Sequence, residues 1–298
     1  MLFFTIWPLF ATICLGFILA RRGMPDGAFW AAAEKLNYFI LFPALLVTSL
    51  ASAPVRDPAV LRLGGAAVCV ILAGAAGLYL VRWLRPLPAA RFGPLMQGTV
   101  RFNTYLGLAA IAALAGTAGV ERAAVYLAVG VPLVNVLSII ALTDSASPAM
   151  LARIILRNPL ILACIVGIML ALSGFGLPYG TGTFLELLAR ASLPLGLLCV
   201  GAALQPAAMR QDSMTIAGVS ALRLLAMPTL AALTAHAFGL EALETLVLVV
   251  FSAIPTAPTA YVLTRQLQGD GRLMAGIVSA QTVAAVVTIP LVVWLFGR

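Results

Sequence analysis

Two prolines stand close together inside an apolar segment that is long enough to cross a bilayer. The stretch is Val249-Val-Phe-Ser-Ala-Ile-Pro-Thr-Ala-Pro-Thr-Ala-Tyr-Val-Leu263. Pro255 and Pro258 each remove a backbone donor and clash with the preceding turn, so a continuous helix cannot pass through them undisturbed. In hydrocarbon, freed backbone groups persist only where they line a cavity enclosed by protein. The pattern therefore predicts a transmembrane helix that breaks at mid-membrane beside a substrate site.

The composition is typical of a helical membrane protein. Of the 298 residues, 62% are hydrophobic and 9% are charged, and the mean hydropathy is +1.08. The apolar runs are longer than the alternating segments of about ten residues that build outer-membrane barrels. The net charge of +8 comes from basic residues scattered between apolar runs, which indicates loop anchors and no nucleic-acid partner. We predict an all-α polytopic membrane protein with the lipid bilayer as its surroundings.

Ten segments approach the length of about 20 apolar residues that a membrane-spanning helix needs. Most basic residues, Arg21, Lys35 and Arg153 among them, lie in the odd-numbered loops, so the positive-inside rule makes those loops cytoplasmic. We therefore predict a multi-pass protein of the cytoplasmic (inner) membrane with both termini on the outer, periplasmic side. The predicted spans are 2–20, 35–53, 60–81, 93–115, 121–142, 158–175, 184–205, 214–237, 242–263 and 274–296.

The chain contains an internal repeat. When it is shifted against itself by about 151 residues, five predicted spans fall on five, and an odd number of spans per repeat forces the two halves into opposite orientations. We predict a first repeat at 1–142, a cytoplasmic connector at 143–157 and a second repeat at 158–298. The matched pairs are Pro8 with Pro159, Leu9 with Leu160, Gly16 with Gly167, Leu19 with Leu170, Ala20 with Ala171, Gly23 with Gly174 and Pro43 with Pro194.

The repeat also predicts where the first half is broken. A shift of about 152 residues sets Asn103 against Pro255 and Thr104 against Thr256, within the polar stretch 97–107 of the fourth span. Glycine and asparagine in this stretch are poor helix formers. Polar atoms at mid-span need partners, so these side chains serve either freed backbone groups or a ligand.

Several motifs resemble the bacterial branch of the auxin efflux carrier family over nearly the whole chain. They are Arg101-Phe-Asn-Thr-Tyr-Leu-Gly107, Asn158-Pro-Leu160, Ala191-Ser-Leu-Pro-Leu-Gly196 and Ser252-Ala-Ile-Pro-Thr-Ala-Pro-Thr-Ala-Tyr261. The resemblance implies ten spans in a 5+5 inverted repeat, with broken helices 4 and 9 that cross at mid-membrane. This fold is shared with PIN auxin carriers and with bile-acid transporter and NhaA-like proteins. Plant members have a proline at the first crossing, where this chain has Asn103 and Thr104.

Function and assembly also follow from the resemblance. It implies a scaffold domain of spans 1, 2, 6 and 7, a transport domain of spans 3–5 and 8–10, and a homodimer formed through the scaffold. Bacterial members are described as carriers of malonate or malate. The resemblance therefore predicts a permease that acts by an elevator-like alternating-access mechanism on a small organic anion.

Arginines inside spans are the strongest candidates for substrate contact. An arginine well inside a span costs about 2.5 to 3.5 kcal/mol on insertion scales, so it normally faces a cavity or a partner. Arg101 either faces the crossing and binds a carboxylate or extends toward the cytoplasmic headgroups. Arg223 either adds a second positive charge near the cavity or braces one helix against another.

Ten residues form the predicted substrate site. Those outside the two breaks belong to the fifth and tenth spans and can donate to a substrate oxygen or bond a neighbouring helix. The ten are Arg101, Asn103, Thr104, Tyr105, Asn135, Pro255, Thr256, Pro258, Thr259 and Gln281. The ten acidic residues of the chain lie near predicted span ends, so no proton relay is predicted and the coupling ion, proton or sodium, is left open.

Other classes of function fit less well. The chain has no acid cluster for metal and diphosphate, no paired aspartates and no His-Glu-x-x-His helix, so we predict no enzyme, no metal site and no cofactor. It has no nucleotide-binding loop either. The alternatives left open are a carrier or efflux protein for an aromatic carboxylate of auxin type, and a passive channel or sensor.

Overall fold

The computed structural model describes residues 2–55, 57–143, 147, 153, 156–177 and 180–296, so most of the predicted connector at 143–157 lies outside the described residues. All regular secondary structure in these residues is helical. A short 3-10 helix, Pro206–Arg210, accompanies the main helices. The helices are α1 Leu2–Arg21, α2 Gly27–Ala51, α3 Pro58–Leu84, α4 Ala89–Val100, α5 Thr104–Thr143, α6 Pro159–Ser173, α7 Thr181–Ala202, α8 Ser213–Ala237, α9 Ala242–Ala253, α10 Thr259–Gln266 and α11 Gly271–Phe296.

Seven helical stretches in this part of the chain are long and apolar enough to cross a membrane. Two shorter apolar helices, α6 and α9, accompany them. The prediction of an all-α polytopic membrane protein is confirmed. The seven stretches are Phe4–Arg21, Gly27–Ala51, Pro58–Leu84, Ala89–Thr143, Thr181–Ala202, Ser213–Ala237 and Gly271–Phe296.

Short polar caps begin several of the helices. The Asp57 side chain accepts from Ala59 N at 2.9 Å, and the Asn158 side chain accepts from Leu160 N at 2.9 Å. In both cases a proline follows as the first helical residue, where its missing N–H costs nothing. The dipeptides Asp-Pro and Asn-Pro therefore place the starts of α3 and α6 directly from the sequence.

The second helix begins earlier than the sequence predicts. Asp26 caps α2 by accepting from Phe29 N at 2.9 Å, and the helical segment then continues through a π-helical turn at Asn37–Leu41 to Ala51. The predicted start of the span at residue 35 is therefore too late. Glu34, which the prediction left outside the span, and Lys35, which it made the first residue of the span, both lie well inside the helix.

Glycine brings α1 and α7 into close contact. A Cβ atom on Gly16 would lie 2.1 Å from the carbonyl oxygen of Leu198, and one on Gly201 would lie 1.9 Å from that of Ile13. No larger side chain fits where backbone meets backbone at this distance. Small residues at helix contacts of this kind are a common packing device in membranes.

The helices form two sets by their packing. In the first set α1 packs against α7, and α2 packs against both α6 and α7. In the second set α5 packs against α3, α4 and α9, while α8 packs against α3 and α9, and α11 packs against α9. The helical interruptions lie in the second set.

The two interruptions lie side by side. One separates α4 from α5 at residues 101–103, and the other separates α9 from α10 at residues 254–258. Arg101 and Ile254 both have extended backbone at the start of their interruption. Asn103 N donates to Pro255 O at 2.8 Å, which joins one interruption to the other. The pair of breaks that the prolines and the repeat predict is therefore present in the structure.

A third irregularity divides α5. Gly116 has φ of 59° and ψ of −152°, a conformation that only glycine adopts without strain. The helical axis therefore turns at this residue, close to the predicted loop between the fourth and fifth spans.

Candidate substrate-binding site

A fully buried arginine holds the ends of both broken helices. Arg223, in α8, is 1% exposed. Its Nε donates to Ile254 O at 2.8 Å, its Nη1 to Thr99 O at 3.0 Å and its Nη2 to Phe251 O at 2.6 Å. These carbonyls lie at the C-terminal ends of α4 and α9, where no further turn of helix supplies a donor and the helix dipole is negative. The contacts support the interpretation that Arg223 braces helices.

A second polar group ties the interruptions to α11. Gln281 is fully buried; its Nε2 donates to Gly98 O at 2.8 Å, and its Oε1 accepts from the backbone N and the Oγ1 of Thr256 at 2.9 and 2.8 Å. The side-chain amide therefore uses both its donor and its acceptor on broken backbone. Gln281 therefore fixes the interruption between α9 and α10 against the last turn of α4.

Asn103 begins α5. Its Oδ1 accepts from Leu106 N at 3.2 Å and its carbonyl oxygen accepts from Gly107 N at 2.9 Å. Asparagine is among the preferred residues at a helix N-terminus, so it starts the second half of this interrupted segment without a proline. Its Nδ2 is buried and has no hydrogen-bond partner among the described residues.

Arg101 lies beside Gln281 and Asn103 in the region of the interruptions, and it lines a cavity. It is partly buried, and its guanidinium donates to Gln97 Oε1 and to Thr259 Oγ1, both at 3.3 Å. Both partners are neutral, and both distances are long for hydrogen bonds of a charged donor. No described carboxylate forms an ion pair with Arg101. Its positive charge is therefore not neutralised within the described part of the chain.

An inner cavity of about 40 Å³ lies at Arg101, next to a wider vestibule of about 820 Å³. Five residues line both spaces, so the two adjoin, and we refer to them together as the path. The vestibule also contains Lys35, Arg153 and Arg157. The five shared residues are Glu34, Tyr38, Arg101, Asn135 and Thr259.

Two helix N-termini meet at the inner cavity. Thr104 is the first residue of α5 and Thr259 is the first residue of α10, and both line the cavity with Arg101. Backbone N–H groups in the first turn of a helix lack intrahelical partners, and the dipole there is positive. The cavity thus combines a guanidinium with two positive helix ends, an arrangement suited to an anion.

The structure divides the ten predicted site residues into two groups. Six line the inner cavity, and four lie behind it in the hydrogen-bonded framework of the interruptions. The six are Arg101, Thr104, Tyr105, Asn135, Pro258 and Thr259. The four are Asn103, Pro255, Thr256 and Gln281.

Sequence reasoning missed the part of the cavity that α2 and α7 form. Glu34 and Tyr38 line it from α2, and Cys199 and Val200 line it from α7. The prediction that acidic residues lie only near span ends is wrong for Glu34, because α2 begins at Gly27. The available signal was the spacing of Glu34 and Tyr38, which puts both on one face of a helix, together with the Asp26 cap.

Comparisons with known proteins give the family. Residues 143–293 match the family described as "Membrane transport protein". The chain is 27% identical over 294 residues to an "Uncharacterized transporter" of Methanothermobacter thermautotrophicus, and the match covers 96% of each chain. The family is the one to which auxin efflux carriers belong, as the sequence motifs indicated. The chain is therefore a member of the membrane transport protein (auxin efflux carrier) family.

Proposed function

We propose that this protein is a secondary transporter that moves a small organic anion, a mono- or dicarboxylate such as malonate or malate, across the cytoplasmic membrane. The observation that carries the proposal is Arg101, whose guanidinium faces the cavity with only neutral partners among the described residues. A bidentate guanidinium matches the geometry of a carboxylate. A substrate anion would supply the counter-charge.

The charge of the path supports an anion. Arg101 lies in the inner cavity, and Lys35, Arg153 and Arg157 line the vestibule, whereas Glu34 is the one acidic residue among the described residues that line either space. A cleft with an excess of one sign of charge concentrates ions of the opposite sign. The vestibule would attract anions toward the inner cavity.

The helix lengths support ten membrane crossings. Residues Ala89–Thr143 form one stretch of 55 residues, about 80 Å at the rise of an α-helix, whereas the hydrocarbon core is about 30 Å thick. This stretch would cross twice, with the interruption at 101–103 inside the first crossing and the turn at Gly116 between the two. If α9 and α10 form one interrupted crossing, the chain has ten crossings in two groups of five.

The packing of the helices supports an inverted repeat and an elevator-like mechanism. α1 packs against α7, and α2 packs against α6. A twofold axis in the membrane plane that superposes spans 1 and 2 on spans 6 and 7, and the reverse, turns the first of these contacts into the second. In our proposal α1, α2, α6 and α7 are the scaffold and the remaining helices are the transport domain. The cavity is lined from both groups, so sliding one past the other would carry a bound anion.

The basic vestibule supports an orientation. Under the positive-inside rule, the side of Lys35, Arg153 and Arg157 is cytoplasmic, and the cavity opens toward the cytoplasm. Both termini would then be periplasmic. We further propose that the scaffold forms a homodimer; α1 leaves Phe4 and Trp7 exposed, a surface that a second scaffold or lipid would cover.

A second candidate substrate is an aromatic carboxylate. Tyr38, Phe102 and Tyr105 line the inner cavity, and aromatic side chains pack well against an aromatic ring. The small volume at Arg101 favours malonate or malate in the present conformation. Direct comparison of substrates decides between these two classes.

The test is uptake into proteoliposomes that contain the purified protein. Labelled malonate, malate and indole-acetate are compared with and without imposed proton and sodium gradients, which also identifies the coupling ion. We expect saturable uptake of at least one anion. Failure with all three under every gradient would overturn the assignment to organic carboxylates, and flux that does not saturate would favour a channel.

The first prediction concerns Arg101→Ala in the same assay. A hydrogen bond to a charged group contributes about 1.5 to 3 kcal/mol, so we expect the apparent affinity for the transported anion to fall by about tenfold or more. Arg190→Ala is the matched control, because Arg190 forms an exposed ion pair with Glu186 at 2.7 Å. Uptake by Arg101→Ala that equals the control would remove Arg101 from the site.

A further inference from the structure

Glu34 is an acidic residue in the anion path that the proposed mechanism does not use. It lies on α2 and lines both the inner cavity and the vestibule, as Arg101 does. It makes no ion pair or hydrogen bond with a side chain among the described residues. Its carboxylate and the Arg101 guanidinium thus share one cavity while neither neutralises the other by direct contact.

The charged and titratable groups around Glu34 come from several elements. The α4–α5 interruption contributes the one strongly basic group of the inner cavity, and the vestibule contributes the others; α6 lines the path with apolar and neutral residues. These groups are Lys35 and Tyr38 on α2, Arg101 in the interruption, Tyr105 on α5, Cys199 on α7, and Arg153 and Arg157 in the vestibule.

The position of Glu34 has a direct consequence for anion binding. An anion at Arg101 would share the inner cavity with the Glu34 carboxylate, and two negative charges in one cavity repel each other. Protonation of Glu34 removes this repulsion and adds an O–H donor to the cavity. Anion binding and proton binding to Glu34 therefore favour each other, by the same factor in both directions.

Glu34 and Arg101 belong to different sets of helices. Arg101 lies in the interruption that joins α4 to α5, whereas Glu34 lies on α2, which packs with α6 and α7. In an elevator-like movement the two residues would separate, because only one of the two sets moves. The competition of Glu34 with the substrate would then occur only in the conformation that opens to the vestibule.

We propose that Glu34 is an affinity-determining residue that competes with the substrate anion for Arg101 on the vestibule side and so promotes release of the anion there. The inference rests on the proposed function. When the anion leaves, the ionised Glu34 is the negative charge that remains nearest to Arg101 within the described lining. When Glu34 is protonated, the anion is held more tightly, so acidification of the vestibule side raises the affinity.

The test compares the two sides of the membrane. Malonate transport is measured in inside-out vesicles, where the vestibule faces the medium, and in right-side-out vesicles, between about pH 5.5 and pH 8. In the wild type we expect the KM from the vestibule side to rise with pH, by no more than about tenfold per pH unit because one proton is involved. In Glu34→Gln we expect that KM to be about tenfold lower than the wild-type value at pH 8 and to keep only the pH dependence that malonate ionisation gives to every variant.

Two controls separate this role from a structural one. Glu186→Gln, which removes an exposed carboxylate on α7, should behave as the wild type, and any pH effect from malonate ionisation is common to all variants. From the opposite side, Glu34→Gln should leave the KM unchanged. A general loss of folding would reduce the amount of active protein and would not lower the KM from one side.

The outcomes are distinct. A Glu34→Gln protein whose KM follows that of the wild type at every pH on the vestibule side overturns the inference and leaves the proposed function intact. A wild-type protein that transports neither malonate, malate nor indole-acetate removes the proposed function and this inference with it. If Glu34→Gln does not insert into the membrane, a second measurement on the wild-type protein replaces it. A pH indicator in weak buffer follows proton uptake when malonate binds, and the absence of proton uptake overturns the inference.

Discussion

Arg223 and Arg101 are two arginines near the same pair of broken helices, and their contacts separate them. Arg223 donates to three backbone carbonyls and is buried, whereas Arg101 meets one amide and one hydroxyl at longer distance and lines a cavity. The first therefore stabilises the paired interruptions, and the second is available to a ligand. A buried charge is evidence of substrate binding only after its local partners have been counted.

Removal of Arg223 should destabilise the protein without altering the charge of the cavity. Arg223→Met leaves three buried carbonyls without their donor, and each unsatisfied group costs about 1 to 3 kcal/mol, so we expect a loss of at least about 3 kcal/mol. Arg223→Lys keeps the charge but loses the planar guanidinium that reaches both helix ends. Its stability should lie between that of the wild type and that of Arg223→Met. Thermal unfolding in detergent measures the effect.

The control for this prediction is Arg190→Met, because Arg190 is exposed and pairs only with Glu186 among the described residues. Exposed ion pairs contribute little to stability, so its melting temperature should remain near that of the wild type. If Arg223→Met has the same melting temperature as this control, the carbonyls find other donors, and Arg223 does not brace the helices.

Residue types indicated some of these roles in advance and not others. Pro255 and Pro258 mark a break because a missing N–H is a local property of the chain. The partners of Arg223 could not be predicted, because Thr99 lies 124 positions away and any of several buried groups could have received the guanidinium. Only the fold determines which carbonyls the side chain reaches.

At the scale of the elements, the contact between α1 and α7 depends on glycine. The Cβ of Gly16→Ala would lie 2.1 Å from a backbone oxygen of α7, and backbone cannot move aside as a flexible side chain can. Overpacking of this kind typically costs about 1 to 3 kcal/mol. We expect Gly16→Ala to lower the melting temperature clearly, and Gly201→Ala to do the same from the other helix.

Gly77→Ala is the matched control for this substitution. Gly77 lies in α3, and a Cβ atom there would meet nothing within 4 Å, so the replacement adds helix propensity without a clash. Its stability should equal or exceed that of the wild type. Equal stability of Gly16→Ala and Gly77→Ala would mean that α1 and α7 do not approach as closely as the structure has them.

The elements also mark the limit of sequence reasoning. Apolar length located most of the membrane-crossing helices, but it placed the start of α2 at residue 35 although the helix begins at Gly27. Charged residues suggested a loop, whereas Asp26 supplies the cap and Glu34 remains helical inside a cavity. A hydropathy pattern responds to side-chain polarity and cannot distinguish a charge that faces water in a loop from one that faces water in a cavity.

At the scale of the whole molecule, the orientation in the membrane determines the side to which the cavity opens. Gln266 is the last residue of α10 and lines the vestibule. Ser173 is the last residue of α6, whose first residue, Pro159, also lines the vestibule. The two positions therefore lie toward opposite ends of the molecule, and they serve as markers of orientation.

Cysteine labelling with a membrane-impermeant reagent determines the orientation. The four native cysteines, Cys14, Cys69, Cys164 and Cys199, are free and are first replaced by alanine or serine. We expect Gln266→Cys to react only from the cytoplasmic side and Ser173→Cys only from the periplasmic side, because the vestibule carries the basic residues that stay inside. Under the proposed function, malonate should slow the labelling of Gln266→Cys, since transport would move molecules away from the vestibule-open conformation, and should not affect Ser173→Cys. Reaction of the two markers from the reversed sides would show the opposite orientation in the membrane. The vestibule, with its basic residues, would then face the periplasm.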